Sequence, residues 1–260
     1  MRTRAAIYLL GILIFVGCGS GDSPVTPDSA VASAPESGVG LAGGSRPMTI
    51  PENFPVKKIL CFGDSVTFGV TQRVAGSDGS RPALTLVEGY IPKLWRRLEE
   101  RYGSGFELIN GGIPGENVRE GLDRIDTEIQ RHDPDLILIL EGIIDVNNDF
   151  ARFPVVRSSL AEMMRIGLLR GKFVIIGTYP PLNPDGFRVY AIENAARLND
   201  VIRQEAKAKN VLVADHEAVA AGDFRGQGAD GLHPNDIGYE TMAQTWFETI
   251  EVLLEDLGVS

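Results

Sequence analysis

The sequence predicts a three-layer α/β sandwich built on a five-stranded parallel sheet. From Pro51 onward, short apolar runs alternate with longer amphipathic ones, the element order of an α/β domain. The short runs are apolar on both faces, as strands must be in a parallel sheet covered on both sides. The length of 260 residues suits one good-sized domain or at most two small ones, and neither an internal repeat nor a second domain is visible.

The elements follow in order. "KKILCF" (57–62) reads as a buried strand. "YIPKLWRRLEERYG" (90–103) reads as a helix ended by Gly103. "FELIN" (106–110) is a strand and "NVREGLDRIDTEIQRH" (117–132) a helix. "DLILIL" (135–140) is a strand and "PVVRSSLAEMMRIGLLR" (154–170) a helix. "KFVIIGTY" (172–179) is a strand and "YAIENAARLNDVIRQEAKAKN" (190–210) a helix. "VLVAD" (211–215) is the fifth strand, and "NDIGYETMAQTWFETIEVLLEDL" (235–257) the last helix. Right-handed crossovers join such strands. "VTQRVAGSDGSRPALTLVEG" (70–89) reads as a long polar loop that shapes the ground beside residue 65.

The chain before this domain differs in kind. Residues 1–17 carry Arg2 and Arg4, then an apolar stretch from Ala5 to Val16. That is the layout of a secretory signal, too short to span a bilayer comfortably. "FVGC" (15–18) resembles the lipobox of bacterial lipoproteins, which implies cleavage before Cys18 and lipid attachment to its sulfur. The other reading is plain secretion with a free Cys18. By resemblance to enterobacterial lipoproteins, Gly19 favours the outer membrane. Residues 18–50 are rich in Ser, Gly and Pro without apolar periodicity, so they read as a tether with a span of about 30 Å. Its "GVGLAG" (38–43) lacks the preceding strand and following helix that a dinucleotide site requires. Residues 51–260 are the domain.

Composition excludes some partners. The formal net charge is -10. An acidic chain without a basic run gains nothing from phosphate neutralisation, so nucleic acid is not an expected partner. The two cysteines, Cys18 and Cys61, make neither a disulfide framework nor a zinc site. Cys61 lies within a strand and reads as a small core residue. "DVNND" (145–149) imitates the start of a calcium loop, but Phe150 and Val156 stand where Gly and Glu are required. No metal or cofactor is expected.

In open α/β sheets, ligands sit beyond the carboxyl ends of the strands. After the first strand comes "GDSVTFG" (63–69). Gly63 permits a sharp turn, and Ser65 sits at a strand-to-helix corner with an N–H pointing out of a helix start. The alternative is a plain helix cap. After the second strand comes "NGGIPGEN" (110–117), where Gly115 can offer a backbone N–H at close range or merely make a turn. After the fifth strand comes "DGLHPND" (230–236). Asp230 and His233 stand three apart, and Pro234 suits the first position of the following helix. A carboxylate on one ring nitrogen sets the tautomer so that the other can accept a serine proton. The competing reading is a helix cap with an incidental histidine. His132 ends a helix, where a cation is welcome. His216, in "DHEAVA", lacks a second histidine at zincin spacing and is the reserve base.

Together these blocks resemble the SGNH, or GDSL-type, hydrolase superfamily, including lysophospholipase-like esterases, over nearly all of residues 57–257. "FGDSVTFG" resembles the block that carries the nucleophile, "NGGIPGEN" the block with a glycine oxyanion donor, and "DGLHPND" the block with catalytic acid and base. "TYPP" (178–181) and "GYETMA" (238–243) are further family-like details. The absence of G-x-S-x-G argues against an ordinary α/β-hydrolase. The resemblance implies a flavodoxin-like fold and acyl transfer to water, with Ser65 as nucleophile, His233 as base and Asp230 orienting it. It also implies an oxyanion hole from the N–H groups of Ser65 and Gly115. Family activities span lysophospholipase-like, thioesterase-like, arylesterase and carbohydrate O-acetylesterase chemistry, so the expected partner is an acyl ester of a lipid or envelope glycan.

One block departs. "EGIID" (141–145) falls where Gly-x-Asn-Asp belongs. With Gly142 and Asp145 in register, Ile144 occupies the position of the third oxyanion donor. Losing one such donor typically costs about 10²–10³ in rate. Three readings follow: a slower esterase with a two-donor hole, an esterase whose third donor is Asn147 or Asn148, or a tethered binding module with little turnover.

Overall fold

The computed structural model describes residues 49–73, 83–147 and 152–259. The signal segment, Cys18, the tether up to residue 48, and Asn148 fall outside these. Thr49 and Ile50 dock on the domain: Thr49 bridges to Ser104, and the Ile50 N–H donates to Ser104 O at 3.0 Å.

The chain runs β1 (Lys58–Gly63), α1 (Ser65–Phe68), β2 (Val70–Arg73), β3 (Ala83–Leu86), α2 (Ile91–Tyr102), β4 (Glu107–Gly112) and α3 (Val118–His132). It continues with β5 (Leu136–Leu140), α4 (Ile143–Val146), α5 (Phe153–Leu169), β6 (Phe173–Gly177) and, after a 3₁₀ turn over Val189–Ala191, α6 (Ile192–Lys209). The chain closes with β7 (Leu212–Ala214), α7 (His216–Val219) and α8 (Asp236–Asp256). Five strands pair in the order β4-β1-β5-β6-β7, every pair parallel. α3, α5 and α6 pack side by side, and α2 packs on α8. The expected α/β/α sandwich with a five-stranded parallel sheet is the observed fold.

The central strand shows why the sheet forms. Each residue of Leu136–Leu140 is wholly buried, so the run has no solvent face and must lie between helical layers. Strand order reverses direction between β1 and β5, and the crevice beyond their carboxyl ends is where such sheets bind ligands.

Four features differ from the sequence reading. The polar loop over 70–89 contains an antiparallel pair, with Val70 opposite Leu86 and Arg73 opposite Ala83. Its base is pinned by the Tyr239 hydroxyl, which donates to Val70 O at 2.6 Å. The helices α1, α4 and α7 span four residues each, too short for a 3.6-residue periodicity to register.

Candidate active site

The nucleophile corner is built by a cap. Asp64, not Ser65, is the N-cap of α1: its Oδ1 accepts from the Val66 N–H at 2.8 Å. Ser65 is therefore the first helical residue, and its hydroxyl is not spent on capping. The other Asp64 oxygen, Oδ2, accepts from the Tyr179 hydroxyl at 2.6 Å. Burial pushes the Asp64 carboxyl up to about 6, against the pull of the Tyr179 and Val66 hydrogen bonds. Gly63 is required by packing: a Cβ there would stand 2.1 Å from Leu140 O.

The structure brings Ser65, His233 and Asp230 into one relay. Ser65 Oγ lies 2.9 Å from His233 Nε2, and His233 Nδ1 lies 2.6 Å from Asp230 Oδ2. The other Asp230 oxygen, Oδ1, accepts from the backbone N–H groups of Leu232 and His233, each at 3.0 Å. Burial alone would raise the Asp230 pKa. The His233 hydrogen bond and charge, then the two backbone donors, hold it down at about 2. An ionised Asp230 has no proton to give, so Nδ1 carries the hydrogen and Nε2 is the acceptor facing Ser65 Oγ. This is the arrangement a general base needs. Neither Asp230 nor His233 caps α8. Asn235 is the cap, and Pro234 stands just before it rather than at the first helical position.

Gly115 lies in a turn with φ +85°, a left-handed conformation that favours glycine. Glu116 anchors this turn. Its oxygens accept from Arg124 Nε and Nη2, each at 2.6 Å. Arg124 Nη2 also donates to Gly111 O at 2.7 Å and lies 3.3 Å from Gly63 O, and its guanidinium stacks 3.9 Å from the Phe62 ring centre. The Gly115 turn is thus tied to the end of the strand that delivers Ser65. Neither the Ser65 nor the Gly115 N–H donates to another described residue.

The exit of β5 supplies the third wall. Gly142 opens α4, and the Asp145 carboxylate accepts from the Val118 N–H at 2.9 Å, capping α3 from outside. Ile144 is half-buried and packs on the hydrophobic core. Asn147 is one helical turn on from Ile144, on the same face. It is buried, and its Oδ1 has no hydrogen-bond partner among the described residues. Glu141 is fully buried. Its Oε1 accepts only a 3.3 Å bond from the Gly142 N–H, and Oε2 has no partner among the described residues. Burial, then the charges of Asp64 and Glu116, push its carboxyl well above the usual range.

The remaining expectations sort cleanly. His216 is not placed as a base. It is fully buried edge-on to Trp246, ring centres 4.9 Å apart, and burial lowers its pKa to about 3. His132 Nε2 lies 3.3 Å from Glu128 Oε2 at the end of α3. Cys61 is a wholly buried core residue, as read. Sequence reasoning missed Arg124, Glu116, Glu141 and Arg188; Glu116 and Glu141 stand inside the blocks "NGGIPGEN" and "EGIID", but no spacing singles out any of the four. Tyr179 carried a signal, since it stands directly after a strand in "TYPP".

Comparisons with known proteins bear on the family and the fold. The sequence model of the GDSL-like lipase/acylhydrolase family matches residues 61–241. A multidomain esterase of Ruminococcus flavefaciens is 33% identical over 228 residues, covering 76% of this chain and 29% of that protein. An arylesterase of Vibrio mimicus is 30% identical over 112 residues, covering 42% of this chain and 48% of that protein. The chain thus spans less than half the length of each. The crystal structure of a lipase/acylhydrolase from Enterococcus faecalis superposes with a TM-score of 0.62 at 25% identity, covering 76% of this chain and 96% of that one.

Proposed function

The chain belongs to the GDSL-like lipase/acylhydrolase family, and from that premise we propose that it is a serine esterase, exported and lipid-anchored at Cys18. The observation that carries this reading is the Ser65–His233–Asp230 relay, at 2.9 and 2.6 Å. Ser65 Oγ attacks the ester carbonyl carbon as His233 Nε2 takes its proton. The C–O bond to the alcohol then breaks, and His233 returns that proton to the leaving oxygen. Water, deprotonated by the same imidazole, attacks the acyl-serine; the acid leaves and the serine recovers its proton. The unpartnered N–H groups of Ser65 and Gly115 receive the oxyanion.

Ile144 leaves the hole one donor short of the family pattern. Asn147, one helical turn on from Ile144, carries a side-chain amide whose N–H groups supply the third donor in this reading. A two-donor hole is the competing reading, and a tethered binding module with little turnover is the third. The substrate is an acyl ester of a lipid or an envelope carbohydrate. Ile113, whose N–H donates to Gly63 O two residues before Ser65, and Phe187, whose ring lies under Arg188, are exposed apolar side chains, which suits an ester with an apolar or planar part. The amino-terminal signal and the "FVGC" lipobox support export and anchoring.

The test is hydrolysis of a short-chain p-nitrophenyl ester by purified protein beside Ser65→Ala, followed by a panel of acyl chain lengths and acetylated sugars. Equal rates from the two proteins across the panel would sink the esterase reading and favour the binding module.

A further inference from the structure

Asp230 Oδ2 serves two donors. One is His233 Nδ1 at 2.6 Å; the other is Arg188 Nε at 3.1 Å. Counting the two backbone N–H groups on Oδ1, the carboxylate receives four hydrogen bonds, and Arg188 supplies the only fixed cation among them.

Arg188 is held there by the fold. The chain after β6 is bolted to the 230–233 turn by main-chain bonds from Asn183 N to Gly231 O at 2.9 Å and from Arg188 N to Asp230 O at 3.3 Å. Gly186 lies so close to Gly231 that a Cβ on it would come within 2.5 Å of the Gly231 Cα. The guanidinium stands 5.6 Å from the exposed Phe187 ring centre. Its side chain is 20% exposed, while that of Asp230 is fully buried, so water screens the pair only in part.

We propose that Arg188 is a positioning residue that sets the working pH of the relay by competing with His233 for the Asp230 carboxylate. The physical reason is electrostatic. An imidazolium at His233 is stabilised by Asp230 and opposed by the nearby guanidinium. With Arg188 in place, the imidazole stays neutral, and able to accept the Ser65 proton, to lower pH. The other charged or titratable groups facing the pair are Asp64 at the cap of α1, whose charge acts on His233, and Tyr239 of α8, which faces Asp230. Both are the same in every variant below.

The kinetic side of this inference rests on the esterase reading, so the experiment has two arms. Arg188→Gln keeps an N–H donor and loses the charge; Arg188→Lys keeps the charge and loses the planar fork. In the first arm, kcat/KM for a p-nitrophenyl ester is followed against pH. In the second, the His233 ring is titrated by NMR in the full chain, its signal assigned by loss in His233→Asn. Arg188→Gln should move the acid limb and the His233 midpoint upward by about half to one pH unit, while Arg188→Lys should stay within about 0.2 of the parent. The inference is overturned if Arg188→Gln titrates like the parent, or if both variants shift equally, which would make the role steric. Should Ser65-dependent hydrolysis be absent, the esterase reading fails alone and the NMR arm still decides the role of Arg188.

Discussion

Two fully buried carboxyl groups of this molecule, Asp230 and Glu141, are treated in opposite ways. Asp230, in the turn before α8, receives two backbone N–H groups, an imidazole and a guanidinium and is held ionised down to about pH 2. Glu141, at the exit of β5, receives one long bond from its own neighbour and is pushed toward the neutral acid. Neither carboxyl group is exposed, but the donors differ. The comparison teaches that a buried charge stands only where donors are supplied: the relay turn supplies them to Asp230, and the exit of β5 supplies Glu141 with little. The wall that carries Ile144 instead holds an acid pushed toward its neutral form, an apolar side chain and an amide oxygen without a partner among the described residues.

The most damaging way to break this contrast is to remove the charge at its supported end. Asp230→Asn should keep the fold yet lower kcat by about 10⁴, because Nδ1 would lose the acceptor that selects its tautomer. Unchanged melting with near-parental turnover would mean that Asp230 does not orient His233.

At the other wall, the contrast can be sharpened by restoring a donor. Ile144→Asn should raise kcat by about 10- to 100-fold. Asn147→Ala in the parent should lower it by a similar factor if Asn147 completes the hole. A folded Ile144→Asn protein that is no faster, together with a slow Asn147→Ala protein, would assign the third donor to Asn147.

Glu141 predicts a stability effect with a definite sign. A carboxyl whose folded pKa is raised binds its proton more tightly in the native state, so its stabilising contribution is present at acid pH. It is lost as pH rises through the folded value. For Glu141 with Asp64, which stands at about 6, the loss begins above the ordinary carboxylate range, about pH 4, and continues beyond pH 6. Glu141→Gln should flatten that decline and raise stability at pH 8 by on the order of 1–3 kcal/mol. Urea unfolding midpoints between pH 5 and 8.5 measure it, and parallel curves for the two proteins would refute it.

The smallest effect belongs to His216. Buried and without a partner for either ring nitrogen among the described residues, it is replaceable by an apolar side chain. His216→Leu should leave kcat within about twofold of the parent; a loss on the scale of Asp230→Asn would restore it as a candidate base.

Much of this was legible in the chain. "LILIL" announced a strand with no wet face, and the parallel sheet followed from alternation with helices. The spacing of Asp230 and His233 announced a carboxylate beside an imidazole, because a three-residue separation across a glycine turn is a local matter. Gly142 and Asp145 placed Ile144 in register by count alone. One-turn helices were illegible because four residues cannot display a period of 3.6. The β2–β3 pair was hidden by the polar run between its strands. Pro234 suggested a helix start, but Asn235 won the cap because its side chain can accept from the Ile237 and Gly238 N–H groups.

What the sequence determined by itself was the sandwich, the strand ends that matter, and the short-range chemistry of each motif. Each depends on neighbours within a few residues or on burial patterns repeated along one element. Only the tertiary structure decided which histidine meets Ser65, across 168 positions of chain. It also decided that Arg188 shares Asp230 with that histidine, that Arg124 braces the Gly115 turn, and that Glu141 has, among the described residues, only one long bond to hold its charge. Those outcomes depend on which strand ends the parallel sheet brings side by side, and hydrogen bonds and electrostatic interactions act through space rather than along the chain.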